Sequence, residues 1–502
     1  MSSPIRKIAT STLWQLGSQI TMAALSVLNV KFIAIALQLD LVGYYNSAFG
    51  YLQIFGIIAD FGLYAVSVRE MSRAEKKDEV LSALMIIRVF ILCLSLGSAI
   101  IIAWLIPAWR GTALPISITI AAFLPFFTLI AGTLRSVFQI HYHLGYIFVA
   151  EVTQRILTTI LLGFLVYFGI RGSSSVQLLL FCLLTGGIGA YILLLLSYAF
   201  ARRFTLVPWI WNWQVTKRLL KLALPFGLSY LLISVCRQFD TTFIALLRSD
   251  FETQNAYYGT VLRMADMGFL IPTFLLNSIL PIVSEREEKG QDASIILGKT
   301  FLTLLVLGVI AALFSFFLPR PLIALLTTER YLSTATHAGS DTALSLIAIP
   351  MLLNGMILFG FYVFLIRGAW KRLAGTLAIG AAVSVTLNFI LIPKQGFVGA
   401  AYTAIVVNIL LTTLLLPQAL SVIKIRFPRF AVIRIAIFSL LLAGTLWLLQ
   451  PLLINDIRTF LALGAMTAVL GVLLWISGIL KLLGSKAPMT HQHLTEVPLS
   501  EP

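Results

Sequence analysis

An all-α polytopic membrane protein is the fold class this sequence predicts, and three observations carry the prediction. Of 502 residues, 59% are hydrophobic and only 11% charged, at a mean hydropathy of +0.97, which leaves too few polar side chains to build a water-facing surface. About fourteen apolar stretches reach the roughly 20 residues that a spanning helix needs. Lys and Arg collect in every second gap between those stretches, the imprint of loops retained on one side of a membrane.

The first stretch, Ser11 to Ala36, follows a short segment with two cations; it is too long for the core of a cleaved signal and lacks an A-x-A-like end, so it is expected to be retained. Val42 to Tyr64 then leads to a gap holding Arg69, Arg73, Lys76 and Lys77. Val80 to Pro107, Ile116 to Phe138, Tyr146 to Phe168 and Val176 to Tyr198 follow, closing at Arg202 and Arg203. Beyond Lys217, Arg218 and Lys221 come Leu222 to Leu247, Ala256 to Val283, Ile295 to Leu318 and Thr342 to Leu365, which ends at Arg367, Lys371 and Arg372. Leu373 to Pro393 and Val398 to Ala419 lead to Lys424, Arg426, Arg429 and Arg434; Ala431 to Leu449 and Thr459 to Leu480 complete the set. With the N-terminus inside, 24 of the 36 Lys and Arg residues lie on the cytoplasmic side, 7 opposite and 5 within helices. Both ends are therefore expected in the cytoplasm.

The chain also repeats. Phe32-Ile33-Ala34, Asp40 and Gly43-Tyr44-Tyr45 are echoed by Phe243-Ile244-Ala245, Asp250 and Ala256-Tyr257-Tyr258, at an offset of about 211 to 213 residues. Each set sits at the end of one span and the start of the next. Two pseudo-symmetric six-helix lobes are expected, over residues 1–200 and 222–420, related by an axis along the membrane normal. Residues 201–221, with Trp211, Trp213, Lys217, Arg218 and Lys221, are expected to form an amphipathic cytoplasmic linker. Residues 421–480 add two helices and 481–502 a cytoplasmic tail.

A net charge of +16 is compatible with nucleic-acid binding, but the cations are dispersed among short loops instead of forming a stripe with interleaved aromatics. No nucleic-acid partner is expected; topology and attraction to anionic lipids account for the charge. Cys93, Cys182 and Cys236 fall inside predicted helices without CxxC or Cys/His spacing, so neither disulfide nor metal site is expected. His141 and His143 form a lone HxH at a turn. No long catalytic loop, Gly-rich phosphate cradle, HExxH or GxSxG is present, so no catalytic residues and no cofactor are expected. Transport becomes the default.

Three motifs carry a family resemblance. The run Leu224-Pro225-Phe226-Gly227-Leu228-Ser229 leading to Arg237-Gln238-Phe239-Asp240 resembles the seventh helix of polysaccharide and lipid-linked-oligosaccharide exporters, the Wzx-type O-antigen flippases of the multidrug/oligosaccharidyl-lipid/polysaccharide (MOP) superfamily. Asn388 to Ala401 is similar to that family's turn between helices eleven and twelve, and Asp60-Phe61-Gly62-Leu63 with Arg69-Glu70 to its second-helix ending. The resemblance implies a bacterial inner-membrane flippase for cell-surface polysaccharide synthesis. Its substrate would be a polyprenyl-diphosphate-linked oligosaccharide, moved by alternating access with possible proton or sodium coupling. Membrane lipids and polysaccharide polymerase machinery are the other partners implied. The alternatives are a cation-coupled multidrug antiporter of the same superfamily, which should carry a carboxylate-rich pocket, and a membrane polymerase or ligase, for which residues 320–340 are the only loop.

Charges inside a bilayer cost about 2.5 to 3.5 kcal/mol each near the centre, so they face a wet cavity or a partner. Lys31, Arg88, Arg155, Arg237 and Arg263 are the five cations that lie more than four residues inside a predicted helix, and a diphosphate suits them. Against this stand local pairs: Glu151 with Arg155, Arg237 with Asp240 and Arg263 with Asp266, and snorkelling for Lys31 and Arg155. Asp60, Asp240 and Asp266 are candidates for coupling or gating. Tyr44, Tyr45, Tyr257 and Tyr258 suit either an aromatic belt or sugar stacking.

Overall fold

The computed structural model describes residues 4–60, 62–63, 66–67, 70–71, 77–141, 143–168, 174–205, 211–288, 291–423, 425, 427, 430–450, 453 and 456–479. Arg69, Arg73, Lys76, Lys424, Arg426 and Arg429, expected on the cytoplasmic side, and the expected tail 481–502 lie outside the described residues.

Helix occupies each predicted stretch. In chain order the elements are α1 (Pro4–Ala36), α2 (Leu39–Asp60), α3 (Lys77–Leu105), α4 (Leu114–Ala121), α5 (Phe123–Ile140), α6 (Leu144–Phe168), α7 (Val176–Ala201), α8 (Trp213–Gln238), α9 (Asp240–Leu247), α10 (Phe251–Glu288), α11 (Ser294–Phe317), α12 (Pro319–Leu326), α13 (Ser340–Arg367), α14 (Trp370–Gln395), α15 (Phe397–Val422), α16 (Ala431–Leu449) and α17 (Asp456–Ile476). Eleven helical segments among the described residues are long and apolar enough to cross a membrane. The chain is a multi-pass membrane protein. Helix α2 is not among the eleven, because Asn46, Ser47, Gln53 and Asp60 interrupt its apolar surface.

Two of the stretches are not single helices. The fourth is divided at Ala122 into α4 and α5, where Pro125 removes the amide that would bond the Ala121 carbonyl. The seventh is divided at Phe239 into α8 and α9. At its other end the sequence-based boundary moves: Trp213 to Lys221, expected as a separate linker, is the opening of α8 itself. Asn212 starts it early, its side chain accepting from the Gln214 and Val215 amides at 3.1 and 3.3 Å. Helix α13 stops at Gly368, which adopts a left-handed φ of +63° that closes the last turn without a Cβ penalty.

Packing repeats along the chain. Helix α1 packs on α6, α5 on α7, and α6 on α7; at the corresponding places α8 packs on α14, α13 on α15, and α14 on α15. Small residues permit the closest of these approaches: a Cβ on Gly189 would sit 2.2 Å from the Thr158 hydroxyl of α6. Helix α16 adds to α11, and α17 to α12. The two groups meet chiefly where α2 lies along α10, which brings the repeated segments face to face. Tyr44 donates to Glu252 at 2.8 Å and Thr253 to Asp40 at 3.0 Å. Asn46 donates to the Asn255 carbonyl at 3.0 Å, and Asn255 to the Ser47 hydroxyl at 2.8 Å.

A cationic cavity between α2 and α10

Beyond that seam the helices part around a cavity of about 510 Å³, walled by α2, α5, α6, α8, α9 and α10. Helical periodicity explains which side chains reach it. On α2, Tyr45, Phe49, Gln53, Gly56 and Asp60 recur every three or four residues and form one stripe; on α10, Gly259, Arg263 and Asp266 do the same, with Leu262 beside them. Helix α6 supplies Arg155, and the break between α8 and α9 supplies Arg237, Gln238 and Thr241.

Five of the eight residues singled out from the sequence converge there: Arg155, Arg237, Arg263, Asp60 and Asp266. The other three sit elsewhere. Arg88 does not line the cavity. It is 2% exposed and donates to Asp60 at 2.7 Å, to the Thr133 hydroxyl at 3.0 Å and to the Ala59 carbonyl at 3.3 Å. A guanidinium buried that deeply has its carboxylate and hydrogen bonds supplied by the protein. Lys31 lies outside as well, donating to the carbonyls of Leu325 at 2.9 Å, Thr327 at 2.5 Å and Ala324 at 3.4 Å. An ammonium there satisfies orphan carbonyls at the C-terminus of α12 and meets the negative end of its dipole. Asp240 is buried behind the cavity wall, accepting from Tyr258 at 2.8 Å and Asn388 at 3.0 Å.

The local pairings weighed from the sequence resolve in different ways. Glu151 accepts from Arg135 at 2.9 Å, bridging α5 and α6, and the Arg155 Nε has no hydrogen-bond partner among the described residues. Asp266, on α10 one turn from Arg263, is the carboxylate whose field reaches both Arg237 and Arg263. Arg155 and Arg263 are near enough for their like charges to repel. Arg263 itself lies 4.4 Å from the centroid of the Tyr45 ring and 4.9 Å from that of Phe49. With Arg88 neutralising Asp60, three arginines face one aspartate across the cavity. The cavity is therefore net positive.

Sequence reasoning missed the neutral polar members Asn46, Gln53, Thr128, Gln238 and Thr241. The weak hydropathy of α2 was the signal that could have found the first two. The tyrosines are neither belt nor open platform: Tyr258 is buried, Tyr257 stacks on His337 at 5.9 Å, Tyr44 serves the seam and Tyr45 carries Arg263.

Residues 8–285, more than half of the chain, match the family described as Polysaccharide biosynthesis protein. Among solved structures the chain is similar to "Lipid II flippase MurJ, inward closed conformation", at 15% identity and a TM-score of 0.66 over 91% of this chain and 98% of that one. It is similar also to an inward-facing "multidrug resistance MATE family transporter of the MOP superfamily", at 11% identity and a TM-score of 0.58 over 82% and 98%. The MATE transporter DinF-BH in complex with R6G gives 16% identity and a TM-score of 0.60 over 85% and 98%. No curated protein matches. At these identities the structures show a shared fold, that of MOP-superfamily transporters and flippases. On the family match, which spans more than half of its residues, the chain belongs to the polysaccharide biosynthesis protein family.

Proposed function

We propose that this protein is a flippase that carries a polyprenyl-diphosphate-linked oligosaccharide from the cytoplasmic to the outer leaflet by alternating access. The observation that carries the reading is the convergence of Arg155, Arg237 and Arg263, from three helices and both packing groups, on one cavity that holds Asp266 and the neutralised Asp60. The surplus of two positive charges matches a diphosphate. Arginine's planar guanidinium suits a pair of phosphate oxygens through bidentate contacts, while Gln53, Gln238 and Thr241 offer donors and acceptors to sugar hydroxyls. A dianion between Arg155 and Arg263 relieves their mutual repulsion and draws the two groups of helices together. The prenyl tail stays among membrane lipids, and delivery to polysaccharide polymerase machinery follows export.

Asp240 and Asp266 are the coupling candidates, for protons or sodium. Asp240 lies where α8 breaks into α9, so a change in its charge acts on a hinge. The antiporter reading is disfavoured by charge: a cavity with a positive surplus repels organic cations. With both ends cytoplasmic, the α2–α10 seam closes the outer end, and Lys371→Cys is expected to resist membrane-impermeant thiol reagents applied to intact cells. Outside labelling there would reverse the orientation.

The test of the site is complementation of a flippase-deficient strain, read as surface glycan against membrane protein level. Arg237→Ala and Arg263→Ala each abolish export at normal abundance, and Lys replacements restore only part of it. Should Arg237 serve only as an ion-pair partner of Asp266, the double variant Arg237→Ala/Asp266→Ala would recover export and the phosphate-binding role would be lost.

A further inference from the structure

The cavity cations differ in what holds them. Among the described residues no hydrogen bond fixes the guanidinium of Arg263; two ring faces hold it, those of Tyr45 and Phe49. The rings are one helical turn apart on α2 and pack edge to face, with centroids 4.9 Å apart at 63°. Tyr45 is itself buried, 8% exposed. An arginine stacked on aromatic faces keeps its N–H edges in the ring plane, available to an oxyanion, while its rotamers are restricted. The rings belong to the first group of helices and Arg263 to the second, and they meet just past the seam that Asn46, Ser47 and Asn255 hold closed.

We propose that Tyr45 and Phe49 are positioning residues that hold Arg263 ready for the diphosphate only while the α2–α10 seam is closed, so that opening the seam lowers the cavity's affinity for the headgroup. The inference rests on the diphosphate reading of the cavity and adds what that reading lacks, a cause for different affinities in the two states. A ligand shifts a conformational equilibrium only as far as its affinity differs between states. Here the difference comes from the protein: when α2 swings away from α10 the rings leave with it, and Arg263 regains the rotamer freedom that binding must then remove. Release on the open side follows.

Linkage makes this testable in the full-length protein in lipid nanodiscs. If the ligand binds better with the seam closed, the ligand must favour the closed seam by the same factor. The probe is geranyl diphosphate. A thiol placed in the seam by Ser47→Cys, in a background without Cys93, Cys182 and Cys236, reports opening through its labelling rate by a hydrophilic maleimide; Ser47 is 0% exposed in the closed seam. Wild-type rings are expected to give slower labelling when geranyl diphosphate is present. Tyr45→Phe, which keeps the ring, retains both the affinity and the slowing within twofold. Tyr45→Leu/Phe49→Leu weakens binding roughly tenfold and loses the slowing even at saturating ligand. Single Tyr45→Leu, a milder change, gives an intermediate affinity and a partial slowing should the double variant unfold. If the leucine variants bind and slow labelling like wild type, the positioning role is overturned. If Arg263→Ala also binds geranyl diphosphate like wild type, the diphosphate reading of the cavity fails instead.

Discussion

At the end where α2 begins, α2 and α10 meet backbone to backbone; a few turns further on, the same two helices part around a charged cavity. The first half is dry and dense. A Cβ on Gly43 would fall 1.7 Å from the Glu252 carbonyl, one on Gly259 would fall 2.6 Å from the Asn46 Cβ, and in full burial Asn46 donates to the Asn255 carbonyl while Asn255 donates to the Ser47 hydroxyl. The second half carries Asp60, Arg263 and Asp266. In the proposed transport cycle the contrast gives one helix pair two roles, as gate and as binding wall. Close packing makes the seam bistable, since partial separation strands buried amides, whereas the cavity half gains most from a ligand that fills it.

Removing cavity charge is the change expected to hurt most. Arg263→Ala should lower glycan export roughly a hundredfold at unchanged protein level, since charge-assisted contacts worth a few kcal/mol disappear from a low-dielectric site; surface-glycan immunoblotting reads it. A defect confined to protein abundance would move Arg263 from the binding wall to the structure. Disturbing the seam comes next. Gly43→Val forces a side chain into the Glu252 backbone, costing roughly 1 to 3 kcal/mol of closed state, and should raise outside labelling of Gln53→Cys about tenfold. Asn255→Ala takes away two hydrogen bonds without a clash and should raise the same labelling by a smaller factor, at a cost of about 0.5 to 1.5 kcal/mol. Equal labelling in both variants and wild type would show that the seam is no gate.

The smallest effect belongs to the turn into α10. Arg248 donates to Asp250 at 2.7 and 2.9 Å, and this hydrogen bonding, with help from Gln254, holds the Asp250 carboxyl below its usual 3.8. A depressed carboxyl pKa contributes stability that is present above the unfolded value and lost as pH falls through the folded one. Thermal unfolding in detergent from pH 6 to pH 3 should therefore show slightly less acid destabilisation in Asp250→Asn than in wild type. An identical pH slope would remove the pair from the account.

How much of this was legible in the sequence depends on distance along the chain. Helix positions follow from local composition, and Pro125 even announces the break between α4 and α5. The capping signal at Asn212 was present too, but the Trp and Lys pattern after it reads equally as a surface helix. Arg88 and Arg237 look alike as isolated cations in apolar runs. What separates them is the carboxylate each meets: Asp60, 28 residues away, for Arg88, and the cavity with Asp266 for Arg237. Lys31 finds Leu325 at a separation of 294 residues. Such partners are fixed by tertiary register, which local pattern does not encode. The repeat, by contrast, was readable and proved to mark the two segments that face each other at the seam.

The central claim is that the cavity recognises a diphosphate through its surplus of arginine charge. The most direct measurement compares the dissociation constants of a long-chain polyprenyl diphosphate and the matching monophosphate for the purified protein in nanodiscs, with wild type and Arg237→Ala side by side. The account predicts that wild type binds the diphosphate at least about tenfold more tightly and that Arg237→Ala loses most of this preference. Equal affinity for the two lipids in wild type, or a preference that survives intact in Arg237→Ala, would contradict it.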